Sequence, residues 1–405
     1  MNPPLVARTR RLDDEIDLLA VAGSDGVLFS RGSSGLAGRG EALRIDLGPD
    51  DDPADTVGAA LGAIQLDDDV TGPGCGPVGF AALPFDPRRP GTVIVPELVV
   101  GRAEDGTRWV TTVAPTDAEP PSLLAPADDR PGPSRLEITT ARPAADWCAA
   151  VATATDAIRA GRLDKVVLAR EVTVRGDAPF PVATVLDRLQ TVFPGCWITA
   201  VDGVIGASPE LLVSRRGDVV RSHPLAGTAA RGGDPTTDAR LAARLLASTK
   251  NREEHQITID EVHETLLPWC SYLDSEAEPS IVPVANVQHL GTLVEGRLSD
   301  PAPSVLELVR ALHPTPAVCG RPRDPALALI DEVEELDRES YAGPVGWVDH
   351  KGNGAWAVGI RSAALDGTVA RLRAGNGIVA DSDPQTELAE TQAKLQALLG
   401  VLVRL

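Results

Sequence analysis

Glu387, Glu390 and Lys394 lie at i, i+3 and i+7 in "SDPQTELAETQAK", so a helix beginning near Ser382 stacks two carboxylates and an ammonium on one face. A second such face runs through "KNREEHQITIDEVHETLL", where Glu254, Thr258 and Glu261 recur at i, i+4 and i+7, away from the apolar Ile259, Val262 and Leu266. Most acidic helix faces are simply solvated. Two of them with no cysteine pair nearby form an oxygen-rich donor set of the kind Mg²⁺ takes: one or two carboxylates, several waters and an anionic oxygen of a substrate. His255 and His263 are eight apart, so they do not form the i, i+4 pair of a zinc helix and read as structural.

Three other side chains could carry chemistry. Lys165 opens "KVVLAR" and shares a strand face with Val167 and Ala169. It is either a strand-end lysine whose head reaches water, or an amine desolvated at the rim of an apolar sheet and able to act as a base. Glu210 follows Ser208 and Pro209 in "SPELL". It reads as a helix-start residue, or as a carboxylic acid that keeps its proton in a sheet-edge cleft. Arg361 follows Ala355, Ala357 and Gly359 on one face of a strand whose other face holds Trp356, Val358 and Ile360. Room beside a guanidinium suits a carboxylate ligand, although pairing with a neighbouring acid explains it as well. Gly375 and Gly377 would let backbone N–H groups approach an anion, or relieve a bend.

Elements that position these residues follow from periodicity. Residues 1–118 read as short strands joined by tight turns, among them "TVIVPELVVG". The proline-rich Glu119–Arg135 reads as a linker or long connection, dividing the chain into an N-terminal region, 1–135, and a second region, 140–405. "DWCAAVATATDAIRAGRL" predicts a helix ending at a glycine, and "KVVLAREVTV" a strand. One long helix is predicted over about Asp238–Leu267, and strands around Ile281–Leu293. "GAWAVGIRSAAL" alternates strictly and pairs with "TVARLRAGNGIV" through an Asp366-Gly367 turn, before the last helix. The class is α/β or α+β with extensive, mostly antiparallel sheet.

The 405 residues carry a formal charge of −20 with 43% hydrophobic composition, which argues for a globular core and against nucleic-acid or anionic-membrane partners. An anionic ligand must then be held by local cations. Five scattered cysteines suggest neither a disulfide framework nor a zinc site. Arg8, Arg10 and Arg11 are followed by Asp13, Asp14, Glu15 and Asp17 rather than an apolar segment, and no apolar run is long enough to span a bilayer. A cytoplasmic location is expected.

In this order, "KVVLAR", "SPELL", "PLAGTAAR", "KNREEH", "LHPTPAVCG", "YAGPVGW", "IRSA", "AGNGIV" and "SDPQTELAETQAK" resemble the chorismate-utilising enzymes: isochorismate, salicylate, anthranilate and aminodeoxychorismate synthases. The resemblance covers about residues 143–402 and implies a four-layer α/β/β/α chorismate-binding fold whose main sheet the N-terminal strands join. It also implies a monomer with chorismate as substrate and Mg²⁺ as cofactor. Ala226 stands where the aminodeoxychorismate branch has lysine, Ala317 where pyruvate-releasing members commonly have threonine, and Lys165 matches the water-activating lysine of isochorismate and salicylate synthases. The implied activity is isochorismate synthesis, serving menaquinone or siderophore formation. A salicylate synthase that goes on to eliminate pyruvate, and a non-catalytic metal-binding scaffold, are the competing readings.

By the same resemblance Lys165 is the general base and Glu210 the general acid. Glu254 and Glu390 hold Mg²⁺, with Glu387 and Glu261 as further members of the acidic cage. Arg361, Lys394, Gly375 and Gly377 bind carboxylates, while Gly227, Thr228 and His313 line the pocket. Asn376, Arg373 and Leu388 depart from the residues usual at their positions.

Overall fold

The computed structural model describes residues 4–116, 118, 121–125 and 131–403. Lys165–Gly176, rich in β-branched side chains, forms a strand that pairs antiparallel with Leu136–Thr140 on one side. On the other side it pairs with Val369–Ile378, in a register running from Val166↔Ile378 to Arg175↔Val369. The helix before it is Ala144–Arg159, and Gly161, at φ 74°, supplies the left-handed turn that lets the chain double back.

Two large sheets result, of 13 and 9 strands among the described residues. N-terminal strands are woven into both: Val27–Arg31 pairs with Trp197–Val201, and Val78–Ala82 with Pro344–Asp349. Pairing is antiparallel throughout the recorded ladders except between Leu5–Arg11 and Gln65–Asp68. The proline-rich stretch Glu119–Arg135 falls partly outside the described residues; the strands flanking it, Arg108–Pro115 and Leu136–Thr140, belong to the same sheet.

The two sheets face each other through Phe29, Leu36, Val99 and Trp109 from one and Phe80, Val345, Trp347 and Ala357 from the other. Helices cover the outer faces. Val182–Val192 and Pro384–Val403 pack Leu186, Leu189, Leu395 and Leu398 against Val172, Val174 and Leu372 of the larger sheet. Pro53–Gly62, Thr249–Leu266 and Val305–Leu312 bring Val57, Ile259, Val262, Leu306 and Val309 to Val213, Val220 and Trp356 of the smaller. This is the α/β/β/α layering, with each apolar face closed by the next layer.

Two expectations are corrected. The single long helix over Asp238–Leu267 is two helices, Pro235–Ala247 and Thr249–Leu266, broken at Ser248. Ser248 sits at φ −76°, ψ 109°, and its hydroxyl accepts from Asn251 N at 3.3 Å, a cap that satisfies an otherwise unpaired donor at the start of the second helix.

The alternating "GAWAVGIRSAAL" is likewise two strands, Gly354–Val358 in the smaller sheet and Ser362–Asp366 in the larger. At the corner between them, a Cβ on Gly359 would come within 2.8 Å of Ser340 O and 2.9 Å of Gly343 O, so only glycine fits. Arg361 completes the crossing at φ 55°. "TVIVPELVVG" divides in the same way, into Gly91–Val95 and Leu98–Arg102, at Pro96, which has no N–H to give a ladder. The Asp366-Gly367 turn forms as expected, with Gly367 at φ 56°. All five cysteines are unpaired, and no helix among the described residues is long and apolar enough to cross a membrane.

Candidate active site

A cavity of about 210 Å³ opens where Thr249–Leu266 and Pro384–Val403 pass the strands Lys165–Gly176 and Val369–Ile378. Lys165, Glu210, Glu254, Glu387, Glu390 and Lys394 all line it, so the two acidic helix faces do converge. Arg361, Gly375 and Gly377 border it too, as do Ala226, Gly227, Thr228 and Ala317.

Lys165 is buried, at 7% exposure, and its Nζ donates to Glu254 Oε1 at 2.6 Å. The strand-end lysine reaching for water is not what forms. Gly377, across the ladder from Val167, makes room for this side chain: a Cβ there would meet Lys165 Cε at 2.6 Å and Glu254 Oε1 at 3.3 Å. Gly375 lends its carbonyl oxygen to Lys394 Nζ at 3.0 Å. Both glycines therefore serve lysine side chains, a use that spacing alone does not reveal.

Glu210 lies between strands Val204–Ser208 and Leu211–Arg216, so it starts no helix. It is 3% exposed, and burial pushes its carboxyl up to about 8 against the opposing pull of a Leu225 backbone hydrogen bond and the Arg361 and Lys165 charges. A carboxyl in that state carries its proton at neutral pH and can donate it.

Arg361 is buried, and no ion pair joins it to an acid among the described residues. Burial lowers its pKa, but a guanidinium stays charged in proteins. Its Nη2 lies 3.2 Å from His289 Nε2, while His289 Nδ1 lies 3.2 Å from Gly227 O and 3.1 Å from Thr228 Oγ1. The tautomer follows from the partners: Nδ1–H donates to the Gly227 carbonyl, leaving Nε2 to accept from Arg361. Burial first, then the Arg361 and Lys394 charges, hold this imidazole neutral, far below its usual range. Sequence reasoning missed His289. Its only signal was a polar ring on the same strand face as Val287 and Gly291 in "VQHLG". Tyr341, a buried cavity residue whose hydroxyl is pushed up by burial, was quoted in "YAGPVGW" without a role.

Two expectations fail, those for His313 and Glu261. Lys394 lines the cavity, its Nζ meeting Glu390 Oε1 at 2.7 Å, Asn376 Oδ1 at 2.6 Å and Gly375 O at 3.0 Å. His313 is outside the cavity: it ends helix Val305–Leu312, and its Nε2 bonds Phe85 O at 2.8 Å beside the N-terminal strands. "LHPTPAVCG" reaches the site through Ala317 and Val318 instead. Glu261 is also outside, since seven residues along the helix from Glu254 is a rise of about 10 Å. Its electrostatic neighbours are Arg323 and Arg321, and burial raises its pKa. Arg373 is a structural cation, paired with Glu171 at 2.7 Å across the ladder and with Glu339 at 2.9 Å. Leu388 packs on the core.

No group of three or more His, Cys, Asp or Glu side chains is arranged to hold a metal among the described residues. What the cavity does offer is Glu254 and Glu390, with side chains 26% and 36% exposed, each touched at Oε1 by a lysine. Two partly open carboxylates without nitrogen or sulfur donors cannot enclose zinc, but they fit Mg²⁺, which keeps waters and takes substrate oxygen. Glu387 is more withdrawn. Its pKa is raised chiefly by burial, countered by Ser382 and reinforced by Glu390.

Comparison with known proteins places this chain among relatives. The family described as "Chorismate binding enzyme" matches residues 92–403. A Mycobacterium tuberculosis (strain H37Rv) relative carrying the name MenF is 41% identical over 344 residues, 81% of this chain and 87% of its own. Isochorismate synthase MenF of Bacillus subtilis is 36% identical over 353 residues, 81% of this chain and 75% of its own. The solved structure of MenF, the menaquinone-specific isochorismate synthase from Escherichia coli, superposes with a TM-score of 0.81 at 26% identity, covering 99% of this chain and 95% of that one.

Proposed function

The chain belongs to the chorismate-binding enzyme family, and from that premise we propose that it is a Mg²⁺-dependent isochorismate synthase. The observation that carries the reading is the pairing, in one cavity, of an amine with a buried carboxyl whose pKa is held at about 8. Relatives of similar length bear the same activity in their names.

In the proposed reaction a water oxygen bonds to C2 of chorismate, the ring double bond shifts, and the C4 hydroxyl departs. Lys165 Nζ takes the proton that the attacking water loses. Glu210 gives its proton to the departing hydroxyl, which leaves as water. One water enters and one leaves, so the reaction is an isomerisation, and in the reverse direction the two residues exchange acid and base roles. Lys165 needs a free electron pair for this, directed at the attacking water while an N–H can still point to Glu254.

Charge balance supports the cofactor. Lys165, Arg361 and Lys394 face Glu254, Glu387 and Glu390, so with Glu210 protonated the cavity is close to neutral and has no surplus for a dicarboxylate. Glu254 and Glu390 would hold Mg²⁺, which when bound would neutralise and orient the ring carboxylate. Arg361, oriented by His289 and with no ion pair to an acid among the described residues, would take the other carboxylate in a bidentate contact. Gly227, Thr228 and Ala317 would bound the ring. Ala317, where the resemblance has threonine in pyruvate-releasing members, supports a site that stops at isochorismate, and Ala226, in place of the lysine of the aminodeoxychorismate branch, disfavours amination.

The test is incubation of the chain with chorismate and MgCl2 and identification of every product. Isochorismate without pyruvate is expected. Stoichiometric pyruvate would replace the reading with salicylate synthase, and binding of Mg²⁺ without turnover would leave a non-catalytic scaffold.

A further inference from the structure

Asn376 lies behind the cavity rather than in its wall, 2% exposed on strand Val369–Ile378 and opposite Leu168 in the ladder. Its amide is engaged at both ends. Nδ2 donates to Glu387 O at 2.9 Å and to Glu387 Oε2 at 3.1 Å, while Oδ1 accepts from Lys394 Nζ at 2.6 Å. The other oxygen of Glu387 accepts from Ser382 Oγ at 2.8 Å, and that hydroxyl accepts from Val379 N at 3.2 Å. Lys394 passes the arrangement on to Glu390 Oε1 at 2.7 Å.

We infer that Asn376 is a positioning residue of the cation site: by clamping Glu387 and Lys394 to the strand, it leaves Glu390, of the two carboxylates that helix Pro384–Val403 brings to the cavity, as the one not tied to the strand. The inference rests on the reading that Glu254 and Glu390 hold Mg²⁺. An amide suits the position because it is neutral and offers donors and an acceptor in one plane. A carboxylate there would face Glu387 with like charge. An alkyl group would leave the buried Lys394 and the half-buried Glu387 each short of a partner. Lys394 stands within electrostatic reach of both Glu390 and Glu387. With the amide between them, Glu387 is bound to the amide and Lys394 to Glu390. Without it, the ammonium is drawn to both carboxylates and Glu390 loses its fixed direction.

Calorimetric titration of the full chain with MgCl2, in the absence of chorismate, tests this on the wild type, Asn376→Ala, Glu387→Gln and the double variant. Outer partners of metal ligands typically tune affinity by about 10–100-fold, so N376A should weaken Mg²⁺ binding at least tenfold. The double variant should lose less than the product of the single losses, because Asn376 acts through Glu387. Should N376A not fold, Asn376→Ser, too short to span both partners, should show the same weakening. Mg²⁺ affinity within twofold of wild type in the folded variant, or independent effects in the double variant, overturns the role of Asn376 alone. Failure of the wild type to bind Mg²⁺ overturns the cation reading and this inference with it.

Discussion

Lys165 Nζ donates to Glu254 Oε1 across 2.6 Å, joining the proposed base to a carboxylate that also fits a divalent cation. In the proposed reaction that same nitrogen must also reach the attacking water, so the contact orients the amine, and several consequences can be measured.

Lys165→Ala should lower chorismate turnover by about 10²–10⁴-fold, the usual contribution of a positioned acid or base. Glu254, partly exposed, can hydrate once the lysine is gone, so circular dichroism and the thermal midpoint should change little. Turnover within twofold of wild type would remove Lys165 as the base.

Chelation with EDTA should abolish turnover, and excess MgCl2 should restore it. Glu254→Gln, which keeps the shape but not the charge, should raise the MgCl2 concentration needed for half-maximal rate by about tenfold or more. Undiminished rates in EDTA would exclude the cofactor.

In the proposed mechanism Glu210 can serve as the acid in the forward direction only while protonated, and burial holds its carboxyl up to about 8. The forward rate should therefore fall tenfold per unit above that pH. In Glu210→Gln the residual rate should show no such limb. A wild-type profile flat to pH 10 would argue that the acid lies elsewhere.

The same group predicts a cost in stability. The carboxyl is raised from 4.5 to about 8 on folding, so the folded state retains a proton that the unfolded chain has released between those values. Stability from this source is complete below pH 4.5 and lost as pH rises to about 8. Glu210→Gln should be more stable than wild type at pH 8–9, by on the order of a few kcal/mol and seen as a higher melting temperature, and the gap should close toward pH 4.5. A gap independent of pH would contradict the burial of an ionisable acid.

Arg361→Lys should raise the KM for chorismate roughly tenfold or more with a smaller change in kcat, because a point charge cannot reproduce a bidentate fork. An unchanged KM would indicate that the guanidinium orders the corner of the chain rather than the substrate.

Local spacing made much of the site legible. Glu387, Glu390 and Lys394 on one helical face, and Glu254 on another, are positions that periodicity alone can group, and they meet in one cavity. The strand of Lys165 was equally readable from its β-branched run. What failed did so for reasons of tertiary geometry. Periodicity gives direction around a helix but not distance along it, which is why Glu261 was grouped with Glu254 although two turns separate them. Alternation cannot tell one strand from two that meet at a corner, so Arg361 was read as a strand residue when it turns the chain from one sheet to the other. His289 acquires its importance from Gly227 and Arg361, residues 62 and 72 positions away, and no local pattern encodes such partners.

The weaving of the N-terminal strands into both sheets bears on how this chain could be divided. A cut between residues 116 and 131 would fall between neighbouring parts of the sequence but not between separate bodies, because Val27–Arg31 and Val78–Ala82 are interior staves of the two β layers. Each fragment would expose raw strand edges along its length, so truncation here would yield sticky halves rather than a minimal enzyme, and the two pieces would be natural complements for one another.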